Sequence, residues 1–156
     1  NDAICTGKMT IPEFNVAFAK DLGIPKIDWQ SYYLAAVDPI TEMHELVKWA
    51  GQNYRIGLMS NIGTGFVDDM KSTGLLPDIA YDAIVDSSKV GLIKPDPKIY
   101  EVAEAMAGVP AEEILLIDDT RGNLMPAQRA GWHVMWFNDY DSIESTERVR
   151  SALEPA

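Results

Sequence analysis

Four consecutive apolar residues, Ile114-Leu115-Leu116-Ile117, run directly into two adjacent carboxylates, Asp118-Asp119. A strand without polar alternation is buried on both faces, as a parallel strand is when helices cover each side of its sheet. Such a strand needs parallel neighbours and crossover connections, and the surrounding sequence supplies both. Arg55 to Met59, Tyr81 to Val85 and His133 to Phe137 are β-rich runs that predict further strands. Gly65 to Ser72, Pro97 to Ala107 and Thr120 to Ala130 predict the helices between them. Repeated strand–helix units joined by short loops indicate an α/β fold, with a Rossmann-like parallel sheet flanked by helices.

The first fifty residues have a different texture. Thr10 with Glu13 three residues on makes a capping-box pattern, and Phe14, Phe18 and Leu22 follow at four-residue spacing until Gly23. Trp29, Tyr32, Tyr33 and Ala36 predict a second helix, Asp38-Pro39 a break, and Met43, Leu46, Val47 and Ala50 a third helix. The chain therefore divides into a helical part, residues 1–38, and an α/β part, residues 39–156. A polar helix follows from about Asp141, and no internal repeat or linker interrupts the pattern.

With 156 residues, 47% of them hydrophobic, the chain can bury a sizeable core. Its formal net charge of −11 repels nucleic-acid phosphates over most of the surface, so a generic nucleic-acid binder is not expected. A small anionic substrate remains compatible, because it responds to a few local groups and any bound metal. The lone Cys5 cannot form an internal disulfide and fits a cytoplasmic protein; as a thiol near the chain end with no supporting His motif, it reads as incidental rather than catalytic. No apolar run reaches the ~20 residues of a membrane span, and the N-terminus lacks a basic-then-apolar signal. Nor does it begin with Met.

In open parallel sheets ligands bind beyond the carboxyl ends of the strands. Asp118-Asp119 is the sharpest feature there. Two adjacent carboxylates repel each other and call for a cation, for which a hard divalent ion such as Mg²⁺ is suited; the competing reading is an acidic helix cap. Ser60-Asn61, followed by Gly63 and Gly65, reads evenly as a phosphate cradle or as an ordinary cap. Lys94 lies in Gly91-Leu92-Ile93-Lys94-Pro95-Asp96-Pro97, where two prolines stiffen the loop and fix where the ammonium points. The competing reading of Lys94 is a solvated surface lysine.

Taken in order, these features resemble the haloacid dehalogenase-like superfamily. The likeness rests on motif II (Ser60, Asn61), motif III (Lys94 within Gly-Leu-Ile-Lys-Pro-Asp-Pro-Lys-Ile-Tyr) and motif IV (Asp118, Asp119 within Leu-Ile-Asp-Asp-Thr-Arg-Gly-Asn), and covers nearly the whole chain. It implies a core with a helical cap, of which the first residues are a remnant. It further implies that Ser60 and Asn61 bind a transferring phosphoryl group and that Lys94 holds nucleophile and phosphate in place. Asp119 would ligate Mg²⁺, Asp118 would assist, and Asn123 would tie the motif IV loop or touch the substrate. The Asp-Asp form looks most like the phosphatase branch, acting on a small phosphomonoester. A non-catalytic ligand- or partner-binding module is the rival reading, and a metal-independent 2-haloacid dehalogenase a more distant one.

The same resemblance implies a motif I, an Asp-x-Asp whose first carboxylate attacks phosphorus and whose second serves as acid and base. No convincing match occurs. Asp139-Tyr140-Asp141 follows the last apolar run and reads as a loop, and Asp68-Asp69 lies within a helix. The expectation is that the strand carrying motif I precedes Asn1 and belongs between the strands ending in Ser60 and Asp118. Such a segment was lost, is supplied by another chain, or is compensated by closure of the two half-sheets, the first being favoured. The chain alone should be inactive. Monomer and homodimer are both open.

Overall fold

In a computed structural model the protein is described from residue 2 to residue 154. The element order is α1 (Asp2–Cys5), α2 (Ile11–Leu22), α3 (Trp29–Ala36), α4 (Thr41–Ala50), β1 (Gly57–Ser60), α5 (Phe66–Ser72), β2 (Ala83–Asp86), α6 (Ser87–Val90), α7 (Pro97–Ala107), β3 (Leu115–Asp118), α8 (Arg121–Arg129), β4 (His133–Trp136) and α9 (Ser142–Leu153). This is the mixed α/β arrangement expected, with parallel strands flanked by helices. No helix among the described residues is long and apolar enough to cross a membrane.

The strands do not form one continuous sheet. β1 pairs in parallel with β2, from Gly57 opposite Ala83 to Ser60 opposite Asp86. β3 pairs in parallel with β4, from Leu115 opposite His133 to Asp118 opposite Trp136. The described residues thus form two two-stranded sheets, and the half-sheets have not closed on each other by strand pairing. β1 and β2 also start two residues later than their apolar runs suggest. The Asp82 carboxylate accepts from the Ile56 N–H at 2.8 Å and faces Arg55, so this pair of residues is tied to a side chain ahead of the ladder.

Two apolar clusters hold the elements. One joins β2 and β3 to α7 and α8 through Val85, Ile99, Tyr100, Leu116, Ala127 and Trp132. Tyr100 and Trp132 meet edge-on at 5.6 Å, a geometry that adds to their burial. The other joins the helical N-terminal part to the loop after β1 through Ile4, Ile11, Ile62, Phe66 and Val67. Phe14, Phe18, Trp29, Tyr33 and Phe66 continue it as a chain of aromatic contacts. Trp29 and Tyr33 on α3 are therefore packed, whereas Tyr32 is exposed. The capping box at Thr10 and Glu13 forms, and Gly23 ends α2 in the left-handed region. α6 was not evident in the sequence: Asp86 caps it by accepting from the Ser88 N–H at 3.0 Å.

Candidate functional site

The mouth lies where β1 and β3 end, and its scaffold is set by an asparagine. The Asn61 side chain accepts from the Lys94 N–H at 2.7 Å and donates to the Lys94 carbonyl at 2.8 Å. A carboxamide with donor and acceptor side by side fits one residue's backbone N–H and C=O in this reciprocal way. The loop after β1 and the proline-stiffened loop before α7 are thereby locked together, across a cis Lys94–Pro95 peptide. Ser87, fully buried at the end of β2, secures the same β1 loop from the other side: its hydroxyl accepts from the Ile62 N–H at 2.9 Å and donates to the Ile62 carbonyl.

Held this way, the Lys94 ammonium spans the two half-sheets. It donates to the Met59 carbonyl of β1 at 3.0 Å and to Asp118 Oδ2 of β3 at 2.6 Å. Both side chains are largely removed from water, 10% and 4% exposed. The surface-lysine reading is thus replaced by a buried pair. The other oxygen of Asp118 accepts from the Thr120 N–H at 2.8 Å and the Asn123 side-chain amide at 2.9 Å. Asn123 is itself buried, and its carbonyl accepts from the Tyr100 hydroxyl at 2.7 Å. Burial, and secondarily the nearby Asp118 carboxylate, push the Tyr100 phenol up to about 12, so the hydroxyl stays a donor at any ordinary pH.

Asp119 is placed quite differently. Its carbonyl accepts from Trp136 Nε1 at 2.8 Å, but its carboxylate is exposed and its nearest partner is the Thr120 hydroxyl at 3.5 Å. The neighbouring Trp136 ring is covered by the Arg121 guanidinium at 3.7 Å. Of the six residues singled out in the sequence, Asn61, Lys94, Asp118 and Asn123 form one connected network. Ser60 closes β1 beside it with its hydroxyl outside any side-chain bond among the described residues, and Asp119 stands next to Asp118 with its carboxylate outward. Two supports, Ser87 and Tyr100, were given no role by the sequence reading. Ser87 follows a strand end and was signalled by that place alone; nothing local marks Tyr100.

A divalent ion would find oxygen ligands here but no ready-made cage. Among the described residues no three His, Cys, Asp or Glu side chains gather into a metal-binding group. That suits Mg²⁺, which keeps several waters and takes one or two carboxylates plus substrate oxygens. Asp119 fits such a role without breaking any bond in the network; Asp118 would have to give one up. Elsewhere, Asp139-Tyr140-Asp141 forms a single 3-10 turn that leads into α9, with Tyr140 almost fully exposed. Cys5 is half-buried, and burial raises its thiol, the opposite of what a nucleophile needs.

Comparison with known proteins agrees with this layout. A family model described as haloacid dehalogenase-like hydrolase matches residues 5–137. Among curated proteins, the chain is 29% identical over 105 residues to an (S)-2-haloacid dehalogenase of Pseudomonas fluorescens, covering 64% of this chain and 46% of that protein. It is 30% identical over 111 residues to YhcW of Bacillus subtilis, provisionally named a phosphatase, covering 64% and 50%. The chain thus spans half or less of the length of these relatives. Among solved structures, a HAD-like family hydrolase from Porphyromonas gingivalis superposes with a TM-score of 0.79 at 24% identity, covering 98% of this chain and 78% of that one. A HAD family enzyme from Bacteroides thetaiotaomicron, solved with magnesium and inorganic phosphate, gives 0.72 at 19% identity, covering 86% and 72%. At those identities the two structures speak for the fold alone.

Proposed function

Since the chain belongs to the haloacid dehalogenase-like hydrolase family, we propose that it serves a Mg²⁺-dependent hydrolase of small phosphomonoesters, acting in the cytoplasm through an aspartyl-phosphate. The observation that carries this reading is the division of labour between Asp118 and Asp119. One carboxylate is consumed in orienting Lys94, and the other is left exposed at the same strand end for a metal. The Bacteroides structure's magnesium and phosphate and the name given to the Bacillus relative point the same way.

In this reading Ser60 and the unused N–H of Asn61 bind phosphoryl oxygens, and Lys94 offers its third N–H to the same charge. Magnesium held by Asp119 would neutralise the phosphate's negative charge. Asp118 acts on Lys94 and not on substrate, and Asn123 with Tyr100 keeps Asp118 in place. The covalent step needs a carboxylate that attacks phosphorus as the alcohol leaves, and water then releases phosphate and restores the carboxylate. Neither mouth carboxylate suits that step, since Asp118 accepts three hydrogen bonds and Asp119 is the metal ligand. Residues 1–156 alone should bind Mg²⁺ and phosphate without turnover.

Titration calorimetry with inorganic phosphate tests this. Binding should require Mg²⁺ in the wild type and be lost in Asp119→Asn with the fold intact by circular dichroism. Phosphate binding that ignores both would refute the proposal, and brisk p-nitrophenyl phosphate hydrolysis by these residues alone would refute the stated inactivity. The dehalogenase relatives favour a second reading, metal-independent release of halide from a 2-haloacid. Chloride release from 2-chloropropionate in the presence of a chelator would establish it. Absence of both phosphate binding and halide release would leave the partner-binding module.

A further inference from the structure

On the β4 side of the mouth an arginine is held beside Asp119 without a carboxylate partner. Arg121 opens α8 two residues beyond Asp119, and its guanidinium lies 3.7 Å from the centroid of the Trp136 ring. That platform is itself anchored at two points. The ring Nε1 donates to the Asp119 carbonyl at 2.8 Å, and the Trp136 carbonyl accepts from Arg148 of α9 at 2.5 Å. Stacking occupies a face of the guanidinium and leaves its in-plane N–H groups able to donate. Among the described residues Arg121 takes part in no ion pair. With 24 acidic residues against 13 lysines and arginines in the chain, a guanidinium without a carboxylate is conspicuous. Asp119 does not serve, since residues two apart at a helix start do not face each other. Nor does helix stability explain the placement, because a cation at the first position of a helix meets the positive end of its dipole.

Two cations thus approach the strand end that carries Asp119 from different sides. Lys94 reaches it from β1 through Asp118, and Arg121 reaches it from the β4 side over Trp136, which lies opposite Asp118 in the ladder. Resting on the phosphatase reading above, we propose that Arg121 is a specificity-determining residue, which binds a carboxylate carried on the leaving group of the phosphomonoester, a few bonds from phosphorus. In that reading the phosphoryl charge is met by Lys94 and by magnesium at Asp119. A second negative charge on the substrate needs a cation of its own, and Arg121 stands at the rim with its fork unspent. A carboxylate suits it better than a second phosphate would. The carboxylate sets one negative charge against one guanidinium, whereas a phosphate brings up to about two, an excess that the acidic surface of this chain penalises. Two parallel N–H groups in the guanidinium plane also match the two carboxylate oxygens. A phosphomonoester with a neutral leaving group gains nothing from this residue.

Calorimetry with non-hydrolysable phosphonates in excess Mg²⁺ tests the assignment on the 156-residue protein. Phosphonoacetate carries the carboxylate, and 2-hydroxyethylphosphonate places a neutral hydroxyl at similar reach. The wild type should bind phosphonoacetate about fivefold more tightly, the scale of one exposed charge-assisted pair. In Arg121→Gln the ratio of the two affinities should fall to near one. Arg121→Lys, which keeps the charge without the planar fork, should restore only part of the preference. Equal binding of the two ligands by the wild type overturns the proposal, as does a preference that survives Arg121→Gln or is kept in full by Arg121→Lys. In each of those cases Mg²⁺-dependent phosphonate binding persists, and the phosphatase reading stands. Absence of Mg²⁺-dependent binding of both phosphonates overturns that reading, and the assignment of Arg121 with it.

Discussion

Lys94→Met is expected to be among the most destabilising single substitutions outside the apolar core. The ammonium and the Asp118 carboxylate are 2.6 Å apart with side chains 10% and 4% exposed, so solvent screening that reduces surface pairs to little is largely missing. Methionine keeps much of the lysine stem but leaves a buried carboxylate with two donors, from Thr120 and Asn123, and the Met59 carbonyl without its ammonium. Removing one partner of a buried pair costs about 3–5 kcal/mol. The two donors that remain on Asp118 put the expected value near the low end, about 3 kcal/mol, or roughly 6–12 °C in Tm for a chain of this length. Lys94→Met combined with Asp118→Leu removes both charges. A buried pair replaced by apolar side chains is often near neutral, and the acceptor lost by Thr120 and Asn123 adds about 1–2 kcal/mol. The double variant should therefore be more stable than Lys94→Met alone. Urea unfolding of the four proteins, with unchanged slopes, measures this cycle. A loss below about 1 kcal/mol for Lys94→Met, or single losses that simply add, would refute the claim that this pair is buried and coupled.

Tyr100→Phe removes the donor to the Asn123 carbonyl and should cost about 1 kcal/mol in the same assay. In the wild type, ultraviolet titration should show Tyr100 ionising near 12. Because its folded value is raised above the unfolded one of about 10, stability should be unaffected below pH 10 and fall from there toward pH 12; a flat profile in that window would contradict its burial. Gly7→Ala and Gly23→Ala form a matched pair, both in the left-handed region at φ 68° and 67°. Each incurs about 1–2 kcal/mol for that conformation, but only at Gly7 would the new Cβ collide with the Ser88 carbonyl, so thermal unfolding should show Gly7→Ala clearly the worse.

The sequence made the elements legible because their signals are local. Continuous apolarity at Ile114 to Ile117, Pro97 at a helix start and the Thr10–Glu13 box each act within a few residues, and each element formed where expected. Their ends shifted where a distant side chain intervened, as Asp82 does ahead of β1. The mouth residues were legible as a set, since strand ends collect ligands in any parallel sheet. Their partners were not. Asn61 and Lys94 are 33 residues apart and Lys94 and Asp118 are 24 apart, and nothing in either segment specifies a side chain grasping the other's backbone. Asn61 consequently reads from sequence as a phosphate ligand, while the structure shows most of its hydrogen-bonding capacity spent on Lys94.

The unequal fates of Asp118 and Asp119 follow from a rule that the sequence does contain. Successive residues of a strand point to opposite faces, so Asp118, the last residue of β3, shares its face with Leu116, whereas Asp119 lies in the bend just beyond the strand. Leu116 and Asp118 are both buried, the first in the cluster shared with α7 and α8, the second one step further along toward Lys94 and Asn123. A carboxylate carried inward by register has to be met by donors, and here it meets three. Its neighbour, in the bend past the strand end, is exposed and needs no such donors. Two chemically identical residues therefore become a positioning group and a candidate ligand through their places at the strand end, one the last residue of β3 and the other in the bend just past it, and bringing Asp119 to the inward position would require moving β3 by one residue. Such a slip would also carry Leu116 out of the cluster it shares with α7 and α8, so the apolar core of the sheet and the polarity of the mouth specify the same register.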